Sequence, residues 1–201
     1  MSMRRLVLPL VAAGAATLLS VSSAAAASPS IAFDGGTAAE QAQVRSALAA
    51  SSFDWSVLPS PVTVHIGSYA GSYATPGNVY FGASLLDGGE LSWGVVLHEF
   101  GHQVDFRLFN AAERAQLQSL LGAKDWCYET PGLQHSDHGC ERFASELSWA
   151  FWPSTSNVLR PTGPGSESNG MPVAAFRALV AQMLGQPVRV LSTAPKAKRH
   201  G

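Results

Sequence analysis

The chain has 201 residues, with 13 basic and 14 acidic side chains and a formal net charge of −1. A chain of this length suits one domain around a single hydrophobic core. The near-neutral charge argues against nucleic acid as a partner, because proteins that bind nucleic acid usually carry a strongly basic surface.

The first 27 residues have the pattern of an export signal. Arg4 and Arg5 precede an apolar run over 6–19, and small residues follow at 24–27. The apolar run is too short to cross a bilayer as a helix. We therefore predict a signal peptide over 1–27, a secreted, extracellular protein, and no stable membrane insertion once the signal is removed.

A single domain is predicted over 28–191, with no internal repeat and no second domain. The remaining segment, 192–201, contains Lys196, Lys198 and Arg199 and offers nothing apolar to pack. Such a segment is typical of a disordered basic tail. We expect the domain to act as a monomer.

The first predicted element after the signal is a helix. Thr37 and Glu40 match a capping box, in which each side chain bonds a free backbone N–H group at the start of a helix. The alanine-rich stretch that follows has helical composition as far as Ala50.

Two strands are predicted next. Residues 62–66 alternate apolar and polar side chains, as a half-buried strand does, and residues 78–82 form the second strand. Between them, the segment 69–77 is rich in Gly, Ser, Tyr and Pro, which predicts a loop.

The following helix carries the sequence His98-Glu99-Phe100-Gly101-His102. Two imidazoles four residues apart lie on one helix face, so their ring nitrogens can converge on one metal ion. Glu99 is placed to act as general base on a water at the open position of that metal. The sequence therefore predicts a catalytic zinc site with His98 and His102 as ligands. The opposite side of the helix is apolar: Trp93, Val96, Leu97, Phe100 and Val104.

Three more helices are predicted toward the C-terminus. The first begins at the Asn110 cap and ends at Leu121, the second covers about 140–152, and the third lies between Pro172 and Gly185.

An irregular segment covers 124–139, with Cys127 near its start and Cys140 directly after it, and a second long loop covers 154–170. In an exported chain, Cys127 and Cys140 are expected to form a disulfide. Two free thiols are one alternative. A zinc-binding pair is the other, although structural zinc cysteines usually stand about two to four residues apart.

A catalytic zinc site needs a third protein ligand. Glu113 and Glu129 have simpler explanations, as a helix cap and a solvated side chain. The helix over 140–152 offers Glu141 and Glu146 on opposite flanks of its buried stripe, and periodicity alone does not choose between them. Small serine side chains on the Glu141 flank leave room for a neighbouring helix and a metal, which favours Glu141.

These motifs resemble the catalytic domain of anthrax lethal factor-like metalloproteases. The histidine motif is followed some forty residues later by Glu141-Arg142-Phe143-Ala144, similar to the Glu-x-Phe-Ala-Glu helix of that family. The resemblance covers about 79–151. It implies an α+β zincin fold, with a small mixed sheet packed on the active-site helix and further helices C-terminal. It also implies that Glu141 is the third zinc ligand.

The chain departs from this family in two places. Ser145 replaces the second glutamate of the helix motif, with Glu146 next to it. The tyrosine that stabilises the oxyanion in the family corresponds here to Gln134. The oxyanion role is therefore left open among three side chains of the same loop: Tyr128, His135 and His138.

The sequence predicts a secreted zinc metalloendopeptidase that acts on a peptide or protein substrate, with Zn²⁺ as its cofactor. We expect 78–82 to be an edge strand along which an extended substrate pairs. Two alternatives are a zinc hydrolase of a non-peptide bond and an inactive exported metal-binding module.

Overall fold

A computed structural model describes residues 29–185 of the chain. The predicted signal peptide, the last residues of the predicted domain and the basic tail lie outside this range. Within it, no helix has both the length and the apolar character needed to cross a membrane. In chain order, the strands and α-helices are β1 (Ile31–Gly35), α1 (Ala38–Ala50), β2 (Val62–Gly67), β3 (Ser72–Thr75), β4 (Asn78–Gly82), α2 (Ala83–Leu86), α3 (Trp93–Leu108), α4 (Ala111–Leu121), α5 (Gly139–Phe151) and α6 (Val173–Met183).

The four strands form one mixed sheet in the order β1-β2-β4-β3. β1 pairs with β2 and β2 pairs with β4 in parallel, whereas β3 and β4 form an antiparallel pair. The prediction of an α+β chain with a small mixed sheet is confirmed at this level.

The structure corrects two predictions about the strands. The segment 69–77 is not simply a loop, because it contains β3, which reverses into β4 through Pro76 and Gly77. Gly77 has a φ of 85°, a left-handed conformation that glycine adopts readily and that permits this tight reversal. As a consequence β4 lies between β2 and β3, so residues 78–82 are not an edge strand.

Two helices begin at the capping boxes that the sequence predicts. The Thr37 hydroxyl accepts the Glu40 N–H, and the Glu40 carboxylate accepts the Thr37 N–H. Asn110 and Glu113 exchange the same two bonds at the start of α4. α4 ends at Leu121, and the next residue, Gly122, has a φ of 67°, the left-handed conformation of a C-terminal cap.

The two helices that carry the predicted site, α3 and α5, pack against each other in the core. They approach so closely that a Cβ atom added at Gly101 would lie 3.0 Å from Ala144 Cα. α3 also contacts β3 and β4, so this helix, with the two predicted histidine ligands, lies between the sheet and α5. Of the predicted apolar side of α3, Trp93 is partly buried and four side chains are fully buried: Val96, Leu97, Phe100 and Val104.

Candidate metal centre

His98 and His102 stand one turn apart on α3, and both side chains are buried. Their Nε2 atoms are 3.1 Å apart, because the four-residue spacing puts both rings on the same helix face. The ring planes are almost perpendicular, at 85°. The two Nε2 atoms therefore converge on one small region between the rings.

Glu141, in the first turn of α5, turns its carboxylate toward this pair. Its Oε2 is 3.1 Å from His98 Nε2 and 3.3 Å from His102 Nε2, and the residue is only 5% exposed. Close packing holds the start of α5 in place, since a Cβ atom on Gly139 would lie 2.6 Å from the Trp126 ring. The glycine at this position thus lets α5 begin close enough for the Glu141 carboxylate to reach the two histidines.

These three atoms have the spacing of metal ligands. Zinc lies about 2.0–2.1 Å from nitrogen and oxygen ligands, so a tetrahedral arrangement separates two ligands by about 3.3 Å. The observed separations are 3.1, 3.1 and 3.3 Å. Imidazole nitrogen and carboxylate oxygen are also ligand types that zinc uses. The buried His/Glu cluster could therefore hold one metal ion.

Glu99 lies beside this cluster on α3. A carboxylate oxygen of Glu99 is within 4.8 Å of ring nitrogens of both His98 and His102. The residue is 4% exposed and lines the same cleft as the cluster. Glu99 is thus placed to exchange a proton with a molecule in that cleft.

The electrostatics of the cluster favour a cation. Burial acts to raise the pKa of Glu141, but hydrogen bonds from His102, His135 and His98 outweigh it and hold the pKa well below its ordinary value. Burial acts to lower the pKa of His102, and the carboxylates of Glu141 and Glu99 raise it overall. Glu141 is therefore ionised, which is the form that binds a metal.

The cluster opens into a cleft of about 270 Å³. Four parts of the fold line it: β3, α3, the loop that precedes α5, and α5 itself through Glu141. β3 contributes Ser72, Tyr73 and Ala74, α3 contributes Phe106, and the loop contributes Tyr128 among others. A strand therefore runs along the cleft beside the three converging ligand atoms.

The three loop side chains considered for the oxyanion role occupy different positions. His135 faces the centre, with its Nε2 3.1 Å from Glu141 Oε2. His138 is buried, and its Nδ1 bonds Asp125 Oδ1 at 2.5 Å, so it holds the loop together. Tyr128 lines the cleft with 57% of its surface exposed. The side chains of His135 and Tyr128 can reach a molecule in the cleft, whereas the His138 side chain is hydrogen-bonded within the loop.

The other acidic side chains considered as ligands are engaged elsewhere. Glu146 is fully buried and accepts the N–H groups of Gly170 and Met171 at 2.7 and 3.2 Å. Glu113 caps α4, and Glu129 accepts a backbone hydrogen bond within its own loop. Glu146 therefore anchors a distant segment of the chain to α5.

Cys127 and Cys140 form a disulfide, as predicted, with their Cα atoms 5.4 Å apart. The bond ties the loop to the first turn of α5, next to Glu141. The Cys140 Sγ lies within 4.8 Å of ligand atoms of His102 and Glu141, but its bond to Cys127 removes it as a thiolate ligand. A disulfide fits an extracellular protein.

Sequence reasoning missed Glu167, which lies in the irregular segment 154–170. Its Oε1 is 2.7 Å from His135 Nδ1, and its Oε2 accepts the Ser145 hydroxyl at 3.0 Å. Hydrogen bonds to Glu141 and Glu167 raise the pKa of His135 to about 10. No pattern in the segment distinguishes Glu167 from a solvated acid, and only the path of the loop across α5 brings it here.

In comparisons with protein-family models, curated proteins and solved structures, nothing matches this chain. Its function is therefore inferred from the residues of the centre.

Proposed function

We propose that the chain is a zinc-dependent metallopeptidase. One observation carries this proposal: His98, His102 and Glu141 converge in an open cleft with the Glu99 carboxylate beside them. Structural zinc sites are closed by four protein ligands, whereas catalytic sites use three and leave a position for water. Three ligands, an adjacent carboxylate and an open cleft are together the parts that a hydrolytic zinc site requires.

In this proposal, His98 and His102 hold zinc through Nε2 and Glu141 holds it through Oε2. When bound, zinc lowers the pKa of a water molecule and polarises the substrate carbonyl as a Lewis acid. The three protein atoms have nearly tetrahedral spacing, so little rearrangement is needed to bind the ion.

Glu99 acts as the general base in this proposal. Its carboxylate takes the proton of the attacking water and then returns a proton to the leaving amine. The residue is almost completely buried, so its charge is poorly screened by solvent and is held close to the reacting groups. General-base catalysis by such a group is typically worth about two to four powers of ten in rate.

The position of β3 supports a peptide as the substrate. Within the described sheet, β3 pairs only with β4, so the N–H and C=O groups along its other side are free to bind an extended chain. Residues 72–74 of this strand line the cleft. A peptide that adds to β3 would therefore pass beside the metal centre. This assigns to β3 the docking role that the sequence suggested for 78–82.

The proposal includes a zincin fold related to the lethal factor-like catalytic domain. The position of α3 against a mixed sheet, with the third ligand on a second helix, supports it. It also includes export and action as a monomer, without a nucleic-acid partner. The signal pattern over 1–27 and the disulfide support export, and the low net charge supports the absence of a nucleic-acid partner.

A peptide-library digest tests this function. The chain beginning at residue 28 is compared with its Glu99→Gln variant, with a chelated sample, and with Glu90→Gln, which removes an exposed acid outside the cleft. We expect cleavage to disappear on chelation and to fall by about 10²- to 10⁴-fold in Glu99→Gln. Zinc content and thermal midpoint should stay nearly constant, because glutamine is similar in size and leaves no unpaired charge.

Equal cleavage by the wild type and Glu99→Gln would contradict the role of the general base. A wild type that holds zinc and cleaves no peptide in a broad library would contradict the peptidase proposal. A panel of esters and non-peptide amides would then separate a hydrolase of another bond from an inactive metal-binding module.

A further inference from the structure

A chain of two hydrogen bonds connects His98 to the segment 154–170. His98 Nδ1 lies 3.1 Å from Ser145 Oγ, and this hydroxyl donates to Glu167 Oε2 at 3.0 Å. A hydroxyl has one hydrogen, which here points at the carboxylate, so the Ser145 oxygen accepts a hydrogen bond from His98. His98 Nδ1 therefore carries a proton, and a neutral His98 ring held in this way presents the lone pair of its Nε2 to a metal.

The other oxygen of Glu167 holds a second histidine. Glu167 Oε1 is 2.7 Å from His135 Nδ1, and a carboxylate only accepts, so this nitrogen donates. The opposite nitrogen of His135 lies 3.1 Å from Glu141 Oε2, at the edge of the cleft. One carboxylate thus orients two imidazoles that both contact Glu141.

The two proposed histidine ligands differ in whether their Nδ1 atom has a hydrogen-bond partner. His102 Nδ1 is buried and has no hydrogen-bond partner among the described residues, whereas His98 Nδ1 is held through Ser145. Ser145 is fully buried, so water cannot easily replace its hydroxyl. Within the described part of the chain, Ser145 and Glu167 therefore supply the hydrogen bonds that orient the His98 ring from its Nδ1 side.

We propose that Glu167 is a positioning residue of the metal centre, which orients His98 through Ser145 and orients His135 directly. This inference rests on the proposed zinc site and deepens it. It makes metal affinity depend on the segment 154–170, which supplies no metal ligand of its own.

The test is the zinc dissociation constant of the purified chain, measured at fixed pH by competition with a chelating dye. Ser145→Ala and Glu167→Ala should each weaken zinc binding by about 10- to 100-fold, the usual effect of removing an outer partner of a ligand histidine. The double variant should bind zinc no more weakly than the weaker-binding of the two single variants, since both substitutions break the same chain of hydrogen bonds.

Ser168→Ala is the matched control. Ser168 is buried in the same segment and donates to the Leu159 carbonyl, and it has no hydrogen bond to His98 or His135. It should lower the thermal midpoint and leave the zinc dissociation constant within about threefold of the wild type. An equal fall in zinc affinity in Ser168→Ala and Glu167→Ala would overturn the proposal, because the effect would then come from loosening the segment 154–170.

If Glu167→Ala folds poorly, Ser145→Ala still tests the inference. A zinc affinity of Ser145→Ala within about threefold of the wild type would overturn it. Additive losses in the double variant would overturn it as well. None of these readouts needs a substrate, so they decide the inference whether or not the chain cleaves peptides. If the chain does cleave peptides, zinc-saturated Glu167→Ala should lose more kcat than Ser145→Ala, because only Glu167 holds His135. The KM of Glu167→Ala should change less than its kcat.

Discussion

Replacing Gly101 by alanine tests whether the contact between α3 and α5 sets the geometry of the metal centre. The new Cβ atom would lie 3.0 Å from Ala144 Cα and 3.2 Å from Ala144 Cβ. Carbon atoms pack best at about 3.5–4.0 Å, so the two helices must move apart by a few tenths of an ångström at this contact. The nearer atom belongs to the backbone, so the helices themselves must move apart.

Two effects of opposite sign decide the stability of Gly101→Ala. Alanine is favoured over glycine inside a helix by about 1 kcal/mol. Overpacking of a tightly packed core costs about 1–3 kcal/mol. We therefore expect a net loss of about 0–2 kcal/mol in the free energy of unfolding.

The same displacement of the helices would carry Glu141 away from the two histidines. Because metal–ligand distances tolerate only about 0.2 Å, zinc affinity should fall by about tenfold or more.

Urea unfolding of chelated samples measures the stability term, and dye competition measures zinc affinity. Gly163→Ala is the control, because a Cβ atom at Gly163 would meet nothing within 4 Å. Adding Ala144→Gly should restore part of the zinc affinity, since it removes one of the two close contacts. A Gly101→Ala chain that gains about 1 kcal/mol of stability and keeps wild-type zinc affinity would refute the reasoning.

Two further predictions concern α5. Reduction of the Cys127–Cys140 bond, whose ends are 13 positions apart, should lower the free energy of unfolding by about 3 kcal/mol, as expected from loop closure. Urea unfolding of chelated samples with and without reductant measures this, and an unchanged midpoint would contradict it. Glu141→Ala should lose bound zinc, whereas Glu146→Ala should lose stability and, in the fraction that stays folded, keep zinc. Metal analysis of both proteins checks this, and the reverse pattern of zinc occupancy would show that the ligand assignment is wrong.

Helices were predicted well from the sequence because their signals are local. The capping pairs that start α1 and α4 are three residues apart, and each forms within one turn. The helix predicted over 140–152 agrees with α5 to within one residue at each end. β1 was missed because its partner in the described sheet, β2, lies far along the chain, with Ile31 opposite Val62. β3 was missed although its partner β4 follows after only two residues, because its segment has the composition of a loop. β3 has only four residues and is defined by its pairing with β4.

The same distinction applies to the candidate site. His98, Glu99 and His102 lie within five consecutive residues, so one helical turn is enough to bring them together. The serine flank of α5 also indicated the contact with α3, since Ser148 donates to the Gly94 carbonyl at 2.8 Å. Glu167 could not be predicted, because its position depends on how an irregular segment crosses α5.

The location of bound zinc tests the central claim most directly. Crystals of the chain beginning at residue 28, grown with one equivalent of zinc, would be measured at the zinc absorption edge. The anomalous difference map should show one strong peak about 2.0–2.1 Å from the Nε2 atoms of His98 and His102 and from an Oε atom of Glu141. Absence of a peak between these three side chains, at full zinc loading of the protein, would contradict the proposed metal centre.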